Sequence, residues 1–201
     1  MADTLELIYL HQLKLHQVLA LYNLVSNSEL MTYIGAGKPW DFNYLQKLID
    51  DSQHDAQTTP NLSYRMYIHY GVVIKKSQHL IGYISLRPTK YELTPGSQAR
   101  LIIDPTQQGK GYGTQATQLL EHAPLLWNRM IWAFSSNPKA ISVVSKIWTR
   151  GPDIKISNKL NQTYFYWVYH HCAQCQQQQC YQQRLSLLPD IKQLNQHLSN
   201  G

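Results

Sequence analysis

No stretch of this 201-residue chain comes near the ~20 consecutive apolar residues that cross a bilayer. Charged residues are only 15% of it, too few for a disordered polyelectrolyte. The first ten residues, MADTLELIYL, have Asp3 and Glu6 where a secretory leader has a basic segment and then a long apolar one. The expectation is a soluble, cytoplasmic protein with no membrane partner. Cysteine is scarce: Cys172, Cys175 and Cys180 are the three present, and an odd number does not close a disulfide framework. Cys172 and Cys175 have CxxC spacing with His170 and His171 adjacent. Structural zinc usually takes paired clusters across a longer loop, and the second cluster is missing, so no metal is expected.

Acidic residues are outnumbered, twelve against eighteen basic ones, for a net charge of +6. The imbalance is local. Residues 1–57 carry three basic and seven acidic groups, whereas residues 58–170 carry thirteen and four. A basic centre suits a polyanionic ligand and an acidic front a cationic one. Nucleic acid is not the expected partner, because the basic residues are dispersed and no nucleic-acid motif is present.

What remains is 43% hydrophobic and long enough to bury one substantial core. Leu5, Leu7 and Tyr9 alternate as in a strand, and Leu15, Val18, Leu19 and Tyr22 repeat at helical spacing. Near Pro39 a second helix is predicted, carrying Phe42, Leu45, Leu48 and Ile49, with Asp50 and Asp51 to solvent and its end in the polar stretch from Ser52. Two β-branched, aromatic runs from Tyr64 to Pro88 flank the polar KSQH and read as an antiparallel hairpin. ARLIID reads as a further strand, TQATQLLEHA as a helix, RMIWAFSS as a strand, NPKAISVVSKIW as a helix and TYFYWVYHH as a last strand. This alternation predicts an α/β domain with a partly antiparallel sheet over residues 1–170. The remaining residues, 171–201, form a glutamine- and cysteine-rich tail that cannot bury a core of its own.

The strongest local signal is ARLIIDPTQQGKGYGTQA, a strand running into a glycine-rich turn that opens a helix. Gly109, Gly111 and Gly113 remove side chains so that backbone N–H groups can converge on a phosphate, and the helix N-terminus adds its positive end. Neither the dinucleotide GxGxxG nor the Walker GxxxxGK[ST] pattern is present.

QQGKGYG, from Gln107 to Gly113, resembles the Q/R-x-x-G-x-G/A signature of the GCN5-related N-acetyltransferases (GNAT), matched at Gln108, Gly111 and Gly113. IIDP before it is similar to the family's fourth-strand ending. NPKAISVVSK is similar to its N-x-x-A-I-x-x-x-x-K helix start, with Asn137, Ala140, Ile141 and Lys146 in place. SNSELMTYIG and LIGYISLRP resemble the branch that acetylates ribosomal-protein N-termini and related amines.

The resemblance implies a GNAT fold: a mixed, mostly antiparallel central sheet splayed around an acyl-CoA cleft, with helices on both faces. It implies acetyl-CoA as cosubstrate. Backbone groups of Ile102 and Ile103 would pair with the pantetheine arm, and the amides of Gln108, Gly109, Lys110, Gly111, Tyr112, Gly113 and Thr114 would hold the pyrophosphate. Asn137 would contact the pantetheine. Lys110, Lys139 and Lys146 are candidate phosphate neighbours.

Amide formation from a thioester needs a route for the amine proton, donors for the oxyanion and a proton for the leaving thiolate. Where the ribosomal branch often has a glutamate base, this chain has Gln98, and where many relatives have a tyrosine acid it has Val144. The catalytic candidates are therefore Glu92 as base, ahead of Tyr91, His79 and Asp104, and Ser142 or Ser145 as acid. The expected acceptor is a primary amine, either a peptide N-terminus or a small cationic amine, met by Glu29, Asp41, Asp50 and Asp51. Tyr33, Trp40, Tyr164, Tyr166 and Trp167 are candidate walls. The different-class alternative is a domain that binds acyl-CoA without turning it over. The assembly left open is a homodimer.

Overall fold

The computed structural model describes residues 3–32, 34, 37–59, 67–88, 96–121, 130–134, 138–147, 149–150 and 164–168. They fall into two compact units, one of residues 1–87 with 99–125 and one of residues 88–98 with 126–201.

The first unit starts with strand β1 (Leu5–Tyr9), followed by a 3-10 turn (Leu10–Gln12) and helices α1 (Leu15–Val25), α2 (Ser28–Met31) and α3 (Phe42–Thr58). Strands β2 (Ile68–Ile74), β3 (His79–Pro88) and β4 (Gly96–Ile103) and helix α4 (Tyr112–Glu121) follow. The sheet order is β1-β2-β3-β4. β1 and β2 are antiparallel from Leu5 opposite Ile74 to Tyr9 opposite Tyr70. β2 and β3 are antiparallel with an irregularity between Val72 and Val73. The polar hairpin predicted from the sequence is present, its turn held by an unusual residue. Gln78 has φ +58°, and its carbonyl accepts from Gln17 Nε2 at 2.9 Å.

That bond explains a difference from the sequence reading. Of the apolar residues at helical spacing, Val18 and Tyr22 pack against the core, whereas Leu15 and Leu19 are 75% and 49% exposed. The buried side of α1 is Gln17, Leu21, Leu24 and Val25. Two stripes overlap on a 3.6-residue period, and a polar Gln17 disguises the one that is buried. Burial of that amide is tolerated because it also accepts from the Lys14 N–H at 3.0 Å.

α3 opens where its cap dictates, Asp41 Oδ1 accepting from the Tyr44 N–H at 2.7 Å. It runs to Thr58 instead of ending in the polar stretch from Ser52. Ser52 is itself buried, in line with Leu45 and Leu48, and its hydroxyl meets His11 Nδ1 at 2.8 Å. Packing on one face thus carries the helix through a sequence whose other face is polar. Asp50 and Asp51 are exposed, as expected. The core joins Leu21, Val25, Met31, Leu45 and Leu48 of the helices to Val73, Leu80, Tyr83 and Ile102 of the sheet, with Trp40 edge-on to Tyr83 at 5.4 Å between ring centres.

In the second unit Gly96, Ser97 and Gln98 of β4 pair in parallel with Met130, Ile131 and Trp132 of β5 (Met130–Phe134). β5 pairs antiparallel with β7 (Tyr164–Val168), which also takes the two-residue strand β6 (Thr149–Arg150). Helix α5 (Pro138–Val144) lies between β5 and β6 in the chain. The α/β class and the mixed, mostly antiparallel pairing match the reading of the sequence. Among the described residues no helix is long and apolar enough to cross a membrane. The tail, 171–201, lies outside them.

Candidate active site

β4 ends in a turn fixed residue by residue. The Asp104 N–H donates to the Ile81 carbonyl at 2.8 Å, and Asp104 Oδ1 accepts from the Thr106 N–H and hydroxyl, both at 2.8 Å. Pro105 then starts a 3-10 turn, Pro105–Gln107. Asp104 is therefore a capping residue. Gln108 turns back and donates from Nε2 to the Ile103 carbonyl at 2.8 Å, tying the loop to the strand end.

Gly109 and Gly111 have φ of +79° and +84°, a region that costs other L-residues about 1–2 kcal/mol. A Cβ on either would meet nothing within 4 Å. The glycines are thus required by backbone conformation, and the face they present is open. The Gly111 carbonyl accepts from the Gln115 N–H at 3.1 Å, which begins the i to i−4 ladder of α4. The N–H groups of Tyr112, Gly113 and Thr114 precede that bond and have no acceptor within the helix. Consecutive amides at the positive end of a helix, beside two left-handed glycines, fit a pyrophosphate. Gly113 is helical, its carbonyl accepting from the Thr117 hydroxyl at 2.8 Å, so two of the three glycines shape the loop.

Side chains divide between loop and scaffold. Lys110 is exposed at the lip and donates to Gln107 Oε1 at 2.9 Å. Tyr112 is buried, and its hydroxyl donates to Asp3 Oδ2 at 3.2 Å. Burial raises the phenol above its ordinary 10.0, and the hydrogen bond to Asp3 adds to the rise. Tyr112 therefore offers a ligand its backbone alone. Ile102 and Ile103 are buried. The Ile103 carbonyl is occupied by Gln108, and the Ile102 carbonyl abuts Gly82 so closely that a Cβ there would collide with it.

Also in the first unit, a cavity of about 280 Å³ opens between α3, the start of β2 and β4. Tyr44, Asp51 and Tyr67 line it and are exposed, Asp55 and His69 are half-buried, and Arg100 is buried. His69 Nδ1 is 2.6 Å from the Tyr83 hydroxyl. Two carboxylates and two aromatic rings at a mouth are the chemistry that receives an ammonium group. The sequence reading found Asp51 and missed Tyr44, Asp55, Tyr67, His69 and Arg100. Spacing held the signal for two of them, because Tyr44, Leu48, Asp51 and Asp55 follow one another at four, three and four along a single helix face.

The acetyltransferase (GNAT) domain family matches residues 8–147 of the chain. The chain belongs to this family. Its fold is similar to that of spermidine N-acetyltransferase from Vibrio cholerae in complex with CoA and spermine, with a TM-score of 0.60, 20% identity, and coverage of 83% of this chain and 95% of that one. A GNAT-family acetyltransferase from Bacillus anthracis has a TM-score of 0.58 at 16% identity, over 84% of this chain and 96% of that one. An acetyltransferase from Agrobacterium tumefaciens has 0.57 at 15%, over 85% and 93%. No curated protein matches in sequence.

Ser142 and Ser145 are both exposed, and Ser145 Oγ donates to the Ser142 carbonyl at 3.5 Å. Val144, where relatives often have the acid, is buried on α5. Lys139 and Lys146 are exposed. Glu92, Tyr91 and Asn137 lie outside the described residues, as do Tyr33 and the cysteines. Of the expected wall, Trp40 is a core residue, and Tyr164, Tyr166 and Trp167 are placed by their backbone on β7. Among the described residues no three His, Cys, Asp or Glu side chains gather as metal ligands.

Proposed function

We propose that this GNAT acetyltransferase moves an acetyl group from acetyl-CoA to a primary amine by direct attack in a ternary complex. The observation that carries the cosubstrate is the pair Gly109 and Gly111, left-handed and open on the side where a Cβ would project. Acetyl-CoA supplies the activated acyl carbon. The amine nitrogen forms a bond to that carbon, the C–S bond breaks, the nitrogen loses a proton and the thiolate gains one. The chain's part is to hold the pyrophosphate at the amides of Gly109 to Thr114 and to seat the acceptor in the cavity under α3. Asp51 and Asp55 draw an ammonium group to the mouth, and loss of its proton to water gives the nucleophile; Glu92 is the candidate base that the sequence offers. The resemblance to the ribosomal-protein branch keeps a peptide N-terminus among the acceptors beside small amines.

Titration of the purified protein with acetyl-CoA, followed by thiol release over a panel of amines and peptides, tests this reading. Micromolar binding with release on an amine is the expected result, and absence of binding overturns the loop assignment. Val144 in the usual place of the acid supports a second reading, a domain that binds acyl-CoA with little turnover. Tight binding without release over the whole panel is its signature.

A further inference from the structure

Arg100 is 8% exposed, it lines the cavity under α3, and its Nε has no hydrogen-bond partner. Asp51 and Asp55 line the same cavity. A buried guanidinium Nε left without a partner is disfavoured unless something compensates it. On the neighbouring strand β3, Ser85 is 1% exposed and its Oγ is likewise without a partner. Ser85 is not among the residues that line the cavity, so the polar site there rests on Arg100.

We infer that this cavity takes an amino-carboxylate, with Arg100 receiving the carboxylate and Asp51 and Asp55 the ammonium. The inference rests on the reading of the cavity as the acceptor site and narrows that acceptor from amines in general to amino acids and compounds like them. A guanidinium matches a carboxylate in two parallel hydrogen bonds, a geometry that neither an amide nor an ammonium can satisfy. The same buried charge repels a polycation, so a polyamine fits this cavity poorly despite its acidic mouth. Volume agrees, because about 280 Å³ holds a single amino acid and falls just short of the usual drug-sized pocket of ~300–1,000 Å³. Position agrees as well: Arg100 is two residues before Ile102 on β4, about 7 Å along the strand that ends at the glycine loop.

The test is equilibrium binding of the twenty common amino acids, their carboxamides and spermidine to the full chain with and without CoA, repeated on Arg100→Met and Arg100→Lys. The expected result is at least one amino acid bound tenfold or more tightly than its carboxamide, with spermidine weaker than that amino acid. The preference falls to within twofold in Arg100→Met and is partly kept in Arg100→Lys. Thermal melting separates a binding role from a structural one. Removal of the unpartnered buried Nε raises the melting midpoint of Arg100→Met, whereas loss of a structural arginine lowers it. Equal binding of acid and carboxamide, tighter binding of spermidine, or no binding of any amino acid overturns the proposal. If carboxamides are acetylated as fast as acids, the proposal falls and the acetyltransferase reading stands. If acetyl-CoA does not bind while the carboxylate preference holds, that reading falls and the site stands.

Discussion

The side-chain amide of Gln108 donates to the carbonyl of Ile103 at 2.8 Å, so the first residue of the glycine motif is bonded to the last residue of the strand before it. The bond spans five residues and sets the direction in which the loop leaves β4. Gln108→Glu keeps the shape, loses the donor and puts a carboxylate against a carbonyl. The expected outcome is a stability loss of about 1–3 kcal/mol and CoA affinity at least tenfold lower, read by urea unfolding and calorimetry on one preparation. Unchanged affinity would show that the tie does not position the loop.

Tyr112 gives a pH dependence whose sign follows from its raised pKa. The folded chain holds the phenolic proton more tightly than the unfolded chain does. Its contribution to stability is complete below pH 10.0 and is lost as the pH rises through the higher folded value. Tyr112→Phe is therefore expected to flatten the fall in urea midpoint between about pH 9 and pH 11. Equal slopes for the two proteins would remove the phenol from the account.

Gly111→Ala and Gly111→Asp separate strain from obstruction. Both are expected to lose about 1–2 kcal/mol from the positive φ, and neither unfolds the domain, because a Cβ there meets nothing within 4 Å. Alanine weakens CoA binding moderately, while aspartate, which adds a repelling charge at the phosphate cradle, abolishes it. Calorimetric titration of both variants reads the difference.

Gly82→Ala has a different cause. A Cβ at 82 would collide with the Ile102 carbonyl and come within 2.9 Å of the Ile103 side chain, so β3 and β4 must move apart. Overpacking of this kind costs about 1–3 kcal/mol. The shift also reaches the glycine loop through Ile103, so CoA affinity is expected to fall with the melting midpoint.

Neutralising the mouth of the cavity, by Asp51→Asn with Asp55→Asn, removes the attraction for the acceptor's ammonium group without touching the loop. KM for the amine is expected to rise tenfold or more with kcat within threefold and CoA affinity unchanged. A fall in kcat alone would move these carboxylates from binding to chemistry.

Much of the fold was legible in the residues because one backbone segment suffices to encode it. Alternating apolar residues gave the strands, and the glycines after Ile103 gave the turn. Helix faces were less legible. The exposed Leu15 and Leu19 outrank a buried Gln17 in hydrophobicity, so pattern alone finds Val18 and Tyr22 but misplaces part of the buried side of α1. The end of α3 failed for the same reason, since Ser52 is polar by type and interior by position.

The sequence by itself determined the family, the strand-turn-helix around Gly109 and Gly111 and the acidity of the first 57 residues, because these are properties of neighbours in the chain. Only the tertiary structure brought Arg100 of β4 to the same cavity as Asp51 and Asp55 of α3 and Tyr67 before β2, and only there does the Arg100 Nε lose its solvent without gaining a hydrogen-bond partner. Such burial arises from packing between distant segments, and no local pattern records it.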